Sequence, residues 1–254
     1  DFVRDSNLLA MAEMIKNGIT CFADMCFPQE VLLETVRNVG LRCQISFMVS
    51  DNPTPFAQTA EAHLHKGLNL YDRIGEYPLL RVACAPQDLH CMSDTALDLL
   101  STYTNELDLS LHILCHQSAD EIIQSNAKNG CRPLNRLNNI GLLSPQTQLV
   151  HMNLINEADI ELLKQSNAHV LHCPSSSLEI EKKFFPIGEL QQASINTALG
   201  TGDITSANGL DLFDEMRIYS LMASADESSH LNRAHSALRA ATINAARALG
   251  WDHD

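Results

Sequence analysis

A chain of 254 residues with 45% apolar content can bury one large α/β core, and its formal charge of −14 leaves no cationic surface for nucleic-acid or anionic-lipid phosphates. Partners are therefore expected among small molecules or proteins, with no nucleic acid and no membrane. Eight cysteines, several inside apolar runs (Cys21, Cys43, Cys84, Cys115), are expected to be reduced, packed thiols of a cytoplasmic protein.

In chain order, Ser6 is expected to cap a helix with Leu8, Met11, Ala12 and Ile15 on one apolar face, and Gly18 to end it before the strand "ITCFADM". The opening "DFVRDSNLLAM" is neither a signal sequence nor a Met start, which suggests a piece of something longer. No run reaches the roughly 20 apolar residues of a spanning helix. Pro28 opens a second helix that Gly40 closes before "LRCQISF". The helical stretch "AQTAEAHLHKGLNLYDRI" leads to "LLRVACAP", and Ser93 caps "DTALDLLSTYTNEL" before "LSLHILC". Further strands follow at "TQLVHM", "AHVLHCP" and "INTALGTG", with a last helix at "LNRAHSALRAATINAARALG". Strands alternating with helices predict a parallel sheet with helices outside it.

Such a sheet is either open and doubly wound or closed into an eight-stranded barrel. No G-x-G-x-x-G follows an early strand, and "GTGD" comes late, so dinucleotide binding has little support. Polar and ionisable residues instead stand at the C-terminal ends of the predicted strands: Asp24, Gln87, His116 with Gln117, His151, His172 and Asp203. That distribution marks a barrel rim and predicts a (β/α)8 TIM barrel, here with seven strands, as one domain over residues 1–254.

The stretch "LSLHILCHQSAD" sharpens the question of chemistry. Alternate strand residues share a face, so His112, Leu114 and His116 would look one way, a metal-ligand row interrupted by a leucine.

Several stretches together, "DFVRDSNLLAMAEMIKNGITCFADM", "LLRVACAPQDLHCMSD", "LHILCHQSADEI", "LVHMNLINEADIELL", "HCPSSSLEI", "ALGTGDITSANGLDLFDEMR" and "LRAATINAARALG", resemble the metal-dependent amidohydrolase superfamily, in its TRZ/ATZ group with the methylthioadenosine and S-adenosylhomocysteine deaminases. The resemblance runs almost end to end and implies an amidohydrolase barrel whose first strand and flanking β-sandwich domain are missing from this chain. It further implies a divalent metal, usually zinc, held by a first-strand His-x-His pair, a fifth-strand histidine and an eighth-strand aspartate. The metal lowers the pKa of a bound water, which attacks the amino-bearing carbon of a purine ring. A glutamate three residues after the fifth-strand histidine and a sixth-strand histidine assist.

Carried over residue by residue, the pattern is broken. Leu114 stands at the metal-histidine position, Gln117 at the glutamate, and Gly202 at the aspartate with Asp203 one residue later. A leucine has no lone pair, and a glutamine neither moves protons near pH 7 nor carries charge. Gln87 and His90 replace the histidine and tyrosine of the fourth-strand motif, and Ser175 and Ser177 the polar partners of the seventh. No metal ligand set is expected within these residues. The resemblance casts His151 as the residue assisting the nucleophile, Gln117 as a ring contact and Asp203 as a displaced ligand. Gln87, His116 and His172 become substrate contacts.

Plainer readings stand beside these. His112 is expected to be a hydrogen-bonded structural histidine. Cys21 with Cys26, and Cys84 with Cys91, lack C-x-x-C spacing and read as core or loop cysteines. Ser175, Ser176 and Ser177 carry no nucleophile-elbow pattern. "DLFDE" and "NEADIE" read as solvated helix faces and caps, and Leu8, Met11 and Met14 as core contacts. Three uses of the chain remain open. It is a deaminase of an aminopurine nucleoside with compensating ligands, a degenerate homologue that keeps a ring pocket, or a structural subunit that forms a homo-oligomer through its barrel surfaces.

Overall fold

The computed structural model describes residues 2–25, 27–75, 77–87, 89–181, 185–203, 209–226 and 233–252. The chain divides into two compact units, Asp1–His112 and Ile113–Asp254.

The first unit holds helix α1 (Phe2–Lys16), strand β1 (Cys21–Asp24), α2 (Gln29–Val39), β2 (Arg42–Val49), α3 (Ala60–Ile74), β3 (Leu80–Pro86), α4 (Asp94–Leu107) and the start of β4 (Ser110–Cys115). Its strands pair in parallel and in chain order, with Cys21 opposite Arg42, Cys43 opposite Leu80 and Ala83 opposite Ser110. Strand β2 is buried along nearly its whole length, as a strand covered on both faces must be. Its Ile45 and Phe47 meet a core filled by Leu32, Leu33 and Val36 of α2, Leu64 and Leu70 of α3, and Leu97 and Leu100 of α4. Leu32 and Val36 are four apart, Leu97 and Leu100 three, and Leu64 and Leu70 flank Gly67 at three-residue steps, so each helix presents one buried stripe. Local signals set the ends. The Ser93 hydroxyl accepts the Ala96 N–H, and Gly40 closes α2 with φ 82, a left-handed conformation that glycine adopts without a steric cost.

The first helix departs from expectation. It begins at Phe2, so Ser6 lies inside it rather than at its cap. Among its residues only Met11 is buried, and Leu8 and Ile15 are exposed, because apolar residues surround the helix instead of forming one stripe.

The second unit holds the end of β4, α5 (Ala119–Asn129), α6 (Pro133–Asn139), β5 (Thr147–His151), α7 (Glu157–Ser166), β6 (His169–His172), α8 (Pro174–Ile180), α9 (Ile187–Gln192), β7 (Thr197–Leu199), α10 (Leu212–Ala225), α11 (Arg233–Ala241) and α12 (Ile243–Ala248). Strands β5, β6 and β7 again pair in parallel and in order, with Leu149 opposite Val170 and Leu171 opposite Ala198. The Cys115 and His116 carbonyls accept the N–H groups of Met152 and Asn153, each at 3.0 Å, which brings the C-terminal ends of β4 and β5 side by side. The expected last helix is divided into α11 and α12 at Thr242, whose φ −125 and ψ −97 are not helical. Ser175–Ser177 fall in the short helix α8.

In each unit the strand order follows the chain and never reverses, as in successive barrel βα units and unlike a doubly wound sheet with its switch point. Each of the seven predicted strand segments contains an observed strand. Among the described residues no helix is long and apolar enough to cross a membrane.

Gly67 shows why one helix carries a residue with poor helix propensity. A Cβ at this position would fall on the Phe47 ring, so α3 packs on β2 only without one. Gly67→Ala, which ordinarily stabilises a helix interior by about 1 kcal/mol, is expected here to destabilise by about 1 to 3 kcal/mol in urea unfolding. A second change, Phe47→Leu, should recover part of the loss.

Candidate functional site

The residues singled out at the strand ends of the second unit are organised by one turn. His116 follows β4 with φ 50, a left-handed conformation that side-chain-bearing residues rarely adopt. The Glu121 carboxylate holds it there, accepting the His116 N–H at 3.1 Å on Oε1 and the Gln117 N–H at 2.7 Å on Oε2. The Ser118 hydroxyl caps α5 by accepting the Glu121 N–H, and Glu181 accepts the Ala119 N–H at 2.8 Å.

With its backbone so turned, His116 is buried and its ring serves the fold. Nε2 accepts the Leu134 N–H at 3.3 Å, satisfying one of the unpaired amides at the start of α6. Nδ1 lies 3.7 Å from Asp159 and 3.5 Å from Arg132. Burial pushes the ring's pKa down to about 4, with Asp159 opposing and Arg132 adding to the shift. The expected substrate contact is therefore found with both ring nitrogens inside a polar cluster. The anchor of that cluster is the Arg132–Asp159 pair, at 2.6 Å and 3.2 Å, and Arg132 also donates to the Leu154 carbonyl.

Gln117 and His151 are brought together. The Gln117 side-chain nitrogen lies 3.3 Å from His151 Nε2, which leaves the ring proton on Nδ1. The Gln117 carbonyl accepts from the Asn153 side chain at 3.1 Å, so its main chain is held on both sides. His151 and Met152 also have positive φ, 76 and 49. Of the six non-glycine residues with positive φ among those described, three belong to this pair of strand ends, whereas Asp108, Asn167 and Ser194 terminate or follow helices. Such conformations cost about 1 to 3 kcal/mol each and collect where function constrains the chain.

His172 lies deeper, with 0% exposure, and stacks on Phe185 with ring centroids 3.9 Å apart. Neither of its ring nitrogens, nor His151 Nδ1, has a hydrogen-bond partner among the described residues. Burial lowers the His151 pKa to about 4, and burial together with His151 lowers that of His172 to about 3. All three histidines are neutral at pH 7.

Asp203 stands exposed after β7, and Gln87 is exposed at the end of β3 in the first unit. His112 is buried there, with Nδ1 3.4 Å from the Gln44 side chain. The cysteines are free, and Cys26 lies outside the described residues. Two acidic residues are not on the solvated faces expected of "NEADIE" and "DLFDE": Asp159 and Glu215 are buried. Glu215 accepts the Ser175 N–H at 3.0 Å, and burial raises its pKa. Arg132, Asp159, Glu121 and Glu215 were not singled out by motif. The spacings Ser118-x-x-Glu121 and Asn156-x-x-Asp159 carry a capping-box signal, but nothing in them announces contacts beyond their own helix.

The described residues do not fit the metal that the resemblance implies. Leu114 is 41% exposed and offers aliphatic carbon where an imidazole is expected. Gly202, at the aspartate position, has φ +66, and a Cβ there would lie 3.2 Å from both Cys173 Cβ and Ser176 Cβ. Among the described residues no three His, Cys, Asp or Glu side chains converge on a cation position.

Comparison with known proteins gives the same lineage. The amidohydrolase family matches residues 1–254, and the chain belongs to that family. It is 41% identical to the 5-methylthioadenosine/S-adenosylhomocysteine deaminases of Teredinibacter turnerae and Saccharophagus degradans, covering 99% of this chain and 57% of each relative. A crystal structure of an adenosine deaminase from Xanthomonas campestris with bound zinc superposes with a TM-score of 0.93 at 34% identity, over 99% of this chain and 57% of that one. The chain thus spans a little more than half the length of these relatives.

Three neutral buried histidines make stability depend on pH. Each folded pKa, about 4, 4 and 3, lies below the ordinary 6.5, so unfolding takes up protons in between. The stabilisation is complete above pH 6.5 and is lost as pH falls toward 4 and 3, at about 1.4 kcal/mol per pH unit for each ring. Urea unfolding between pH 7 and 5 should show this slope, and His172→Phe should reduce it by about one linked proton. An unchanged slope in that variant would contradict the assignment.

Proposed function

We propose that the chain belongs to the branch of the family that deaminates aminopurine nucleosides, and that it keeps ring recognition while hydrolytic deamination is lost or impaired. The observation that carries this reading is the Gln117–His151 contact, held by three left-handed residues and the Glu121 carboxylate.

A glutamine amide offers one donor and one acceptor side by side, the pattern needed for the amino and ring-nitrogen edge of a purine. His151 fixes which way that amide faces. The His151 and His172 rings are neutral, which suits an uncharged ring better than an anion. Deamination would require water to add at the amino-bearing carbon and a proton to reach the departing ammonia. Gln117 cannot move that proton, and a histidine with a pKa of about 4 is a weak base at pH 7. Divalent metal, where a relative binds it, supplies hydroxide near neutral pH; the donors at Leu114 and Gly202 that would help to hold it are absent. A non-catalytic ligand-binding homologue is the second reading, favoured by the closed position at Gly202.

The test is thermal unfolding with methylthioadenosine and with adenosylhomocysteine, beside an assay for released ammonia. Ligand at 100 times its Kd should stabilise by about 2.7 kcal/mol, and Gln117→Ala should weaken binding at least about tenfold. Ammonia release near the median enzyme turnover of about 10 per second would overturn the claim of impairment. Absence of stabilisation by either nucleoside would overturn ring recognition and leave a structural role.

A further inference from the structure

We propose that Glu121 is a positioning residue whose carboxylate aims the Gln117 amide at His151, an inference that rests on the reading of that pair as the ring contact. The geometry carries it. In an ordinary capping box the third helical residue reaches back to the N–H of the cap itself. Here the cap is Ser118, whose hydroxyl accepts the Glu121 N–H, but the Glu121 side chain passes Ser118 and grips the two preceding amides. Those amides flank the left-handed residue His116, and the second of them belongs to Gln117. Both carboxylate oxygens are engaged, one per amide, and the contact to Gln117 is the shorter at 2.7 Å.

The clamp acts together with groups from elsewhere in the unit. Asn153, just after β5, holds the Gln117 carbonyl, and Glu181 holds the Ala119 N–H. Gln117 is therefore gripped at its N–H by α5 and at its carbonyl by the strand end that carries His151. A freely turning amide would contact His151 only part of the time. With both sides of its peptide fixed, the side chain leaves the backbone in one direction. The effect of Glu121 on His151 passes through Gln117, whose N–H it accepts and whose side chain meets the ring.

The experiment reads the imidazole directly, without ligand. In 15N-histidine-labelled protein, the His151 ring nitrogens should report a single tautomer. Glu121→Gln keeps the size of the side chain but can accept from only one amide and sets an NH2 against the other. In this variant the His151 signals should move toward the averaged tautomers of an unconstrained imidazole while those of His172 stay in place, and Glu121→Ala should move them further. Thr59→Ala removes the N-cap of α3 in the other unit and controls for lost stability alone. Unmoved His151 signals in Glu121→Gln, or an equal movement in Thr59→Ala, would overturn the proposal. Hydrogen exchange of the unsubstituted protein gives a test that needs no variant: the His116 and Gln117 amides should be protected at least about tenfold over the exposed Asp120 amide, and exchange as fast as Asp120 would overturn the clamp. Nucleoside titration of the same samples judges ring recognition separately: normal tautomer and amide behaviour with no nucleoside binding defeats the functional reading and leaves the positioning intact.

Discussion

The left-handed turn at His116 is the constraint on which the arrangement of the second unit depends. It sends an imidazole backward, where its Nε2 completes the amide end of α6, and sends the next side chain forward, to His151. The conformation is unfavourable for a residue with a Cβ and survives because charged acceptors hold the amides on either side of it. The Arg132–Asp159 pair then closes the back of the cluster, so the turn is fixed from two directions.

The electrostatic character of the strand ends follows from burial. Three imidazoles sit where water does not reach, and each is held neutral by the cost of placing its charged form there. On the function proposed above, neutral donors and acceptors and the stacked pair of His172 and Phe185 would suit an uncharged heterocycle. Two relatives 41% identical to this chain are named 5-methylthioadenosine/S-adenosylhomocysteine deaminases, and at Leu114 and Gly202 this chain lacks the lone pairs that the resemblance implies there.

Much of the architecture was legible because it rests on local rules. Alternating strands and helices, the Ser93 cap and the glycine at position 40 all act within a few residues of themselves, and all are found where the pattern places them. The pairing of Gln117 with His151 was half legible: both were singled out at strand ends, but their contact joins positions 34 apart in sequence. Ser6 misled because the helix already starts at Phe2, and the small loss of propensity for a serine inside a helix is outweighed by the turn that its earlier residues continue. Asp159 and Glu215 misled for the opposite reason. Each sits in an acidic run that looks solvated; Asp159 caps α7 with Asn156 as that run suggests, but its burial also rests on distant Arg132, and that of Glu215 on the Ser175 amide.

The amino-acid sequence alone determined the order of strands and helices, the kinship with amidohydrolases and the absence of donors at Leu114 and Gly202, since these follow from periodicity and from which atoms a side chain contains. Tertiary structure decided which histidine serves the fold and which faces Gln117. His116 and His151 are both histidines at strand ends, and no local signal separates them. The difference arises when one ring finds the Leu134 amide and the other finds a glutamine, and those neighbours are set by packing between segments far apart in the chain.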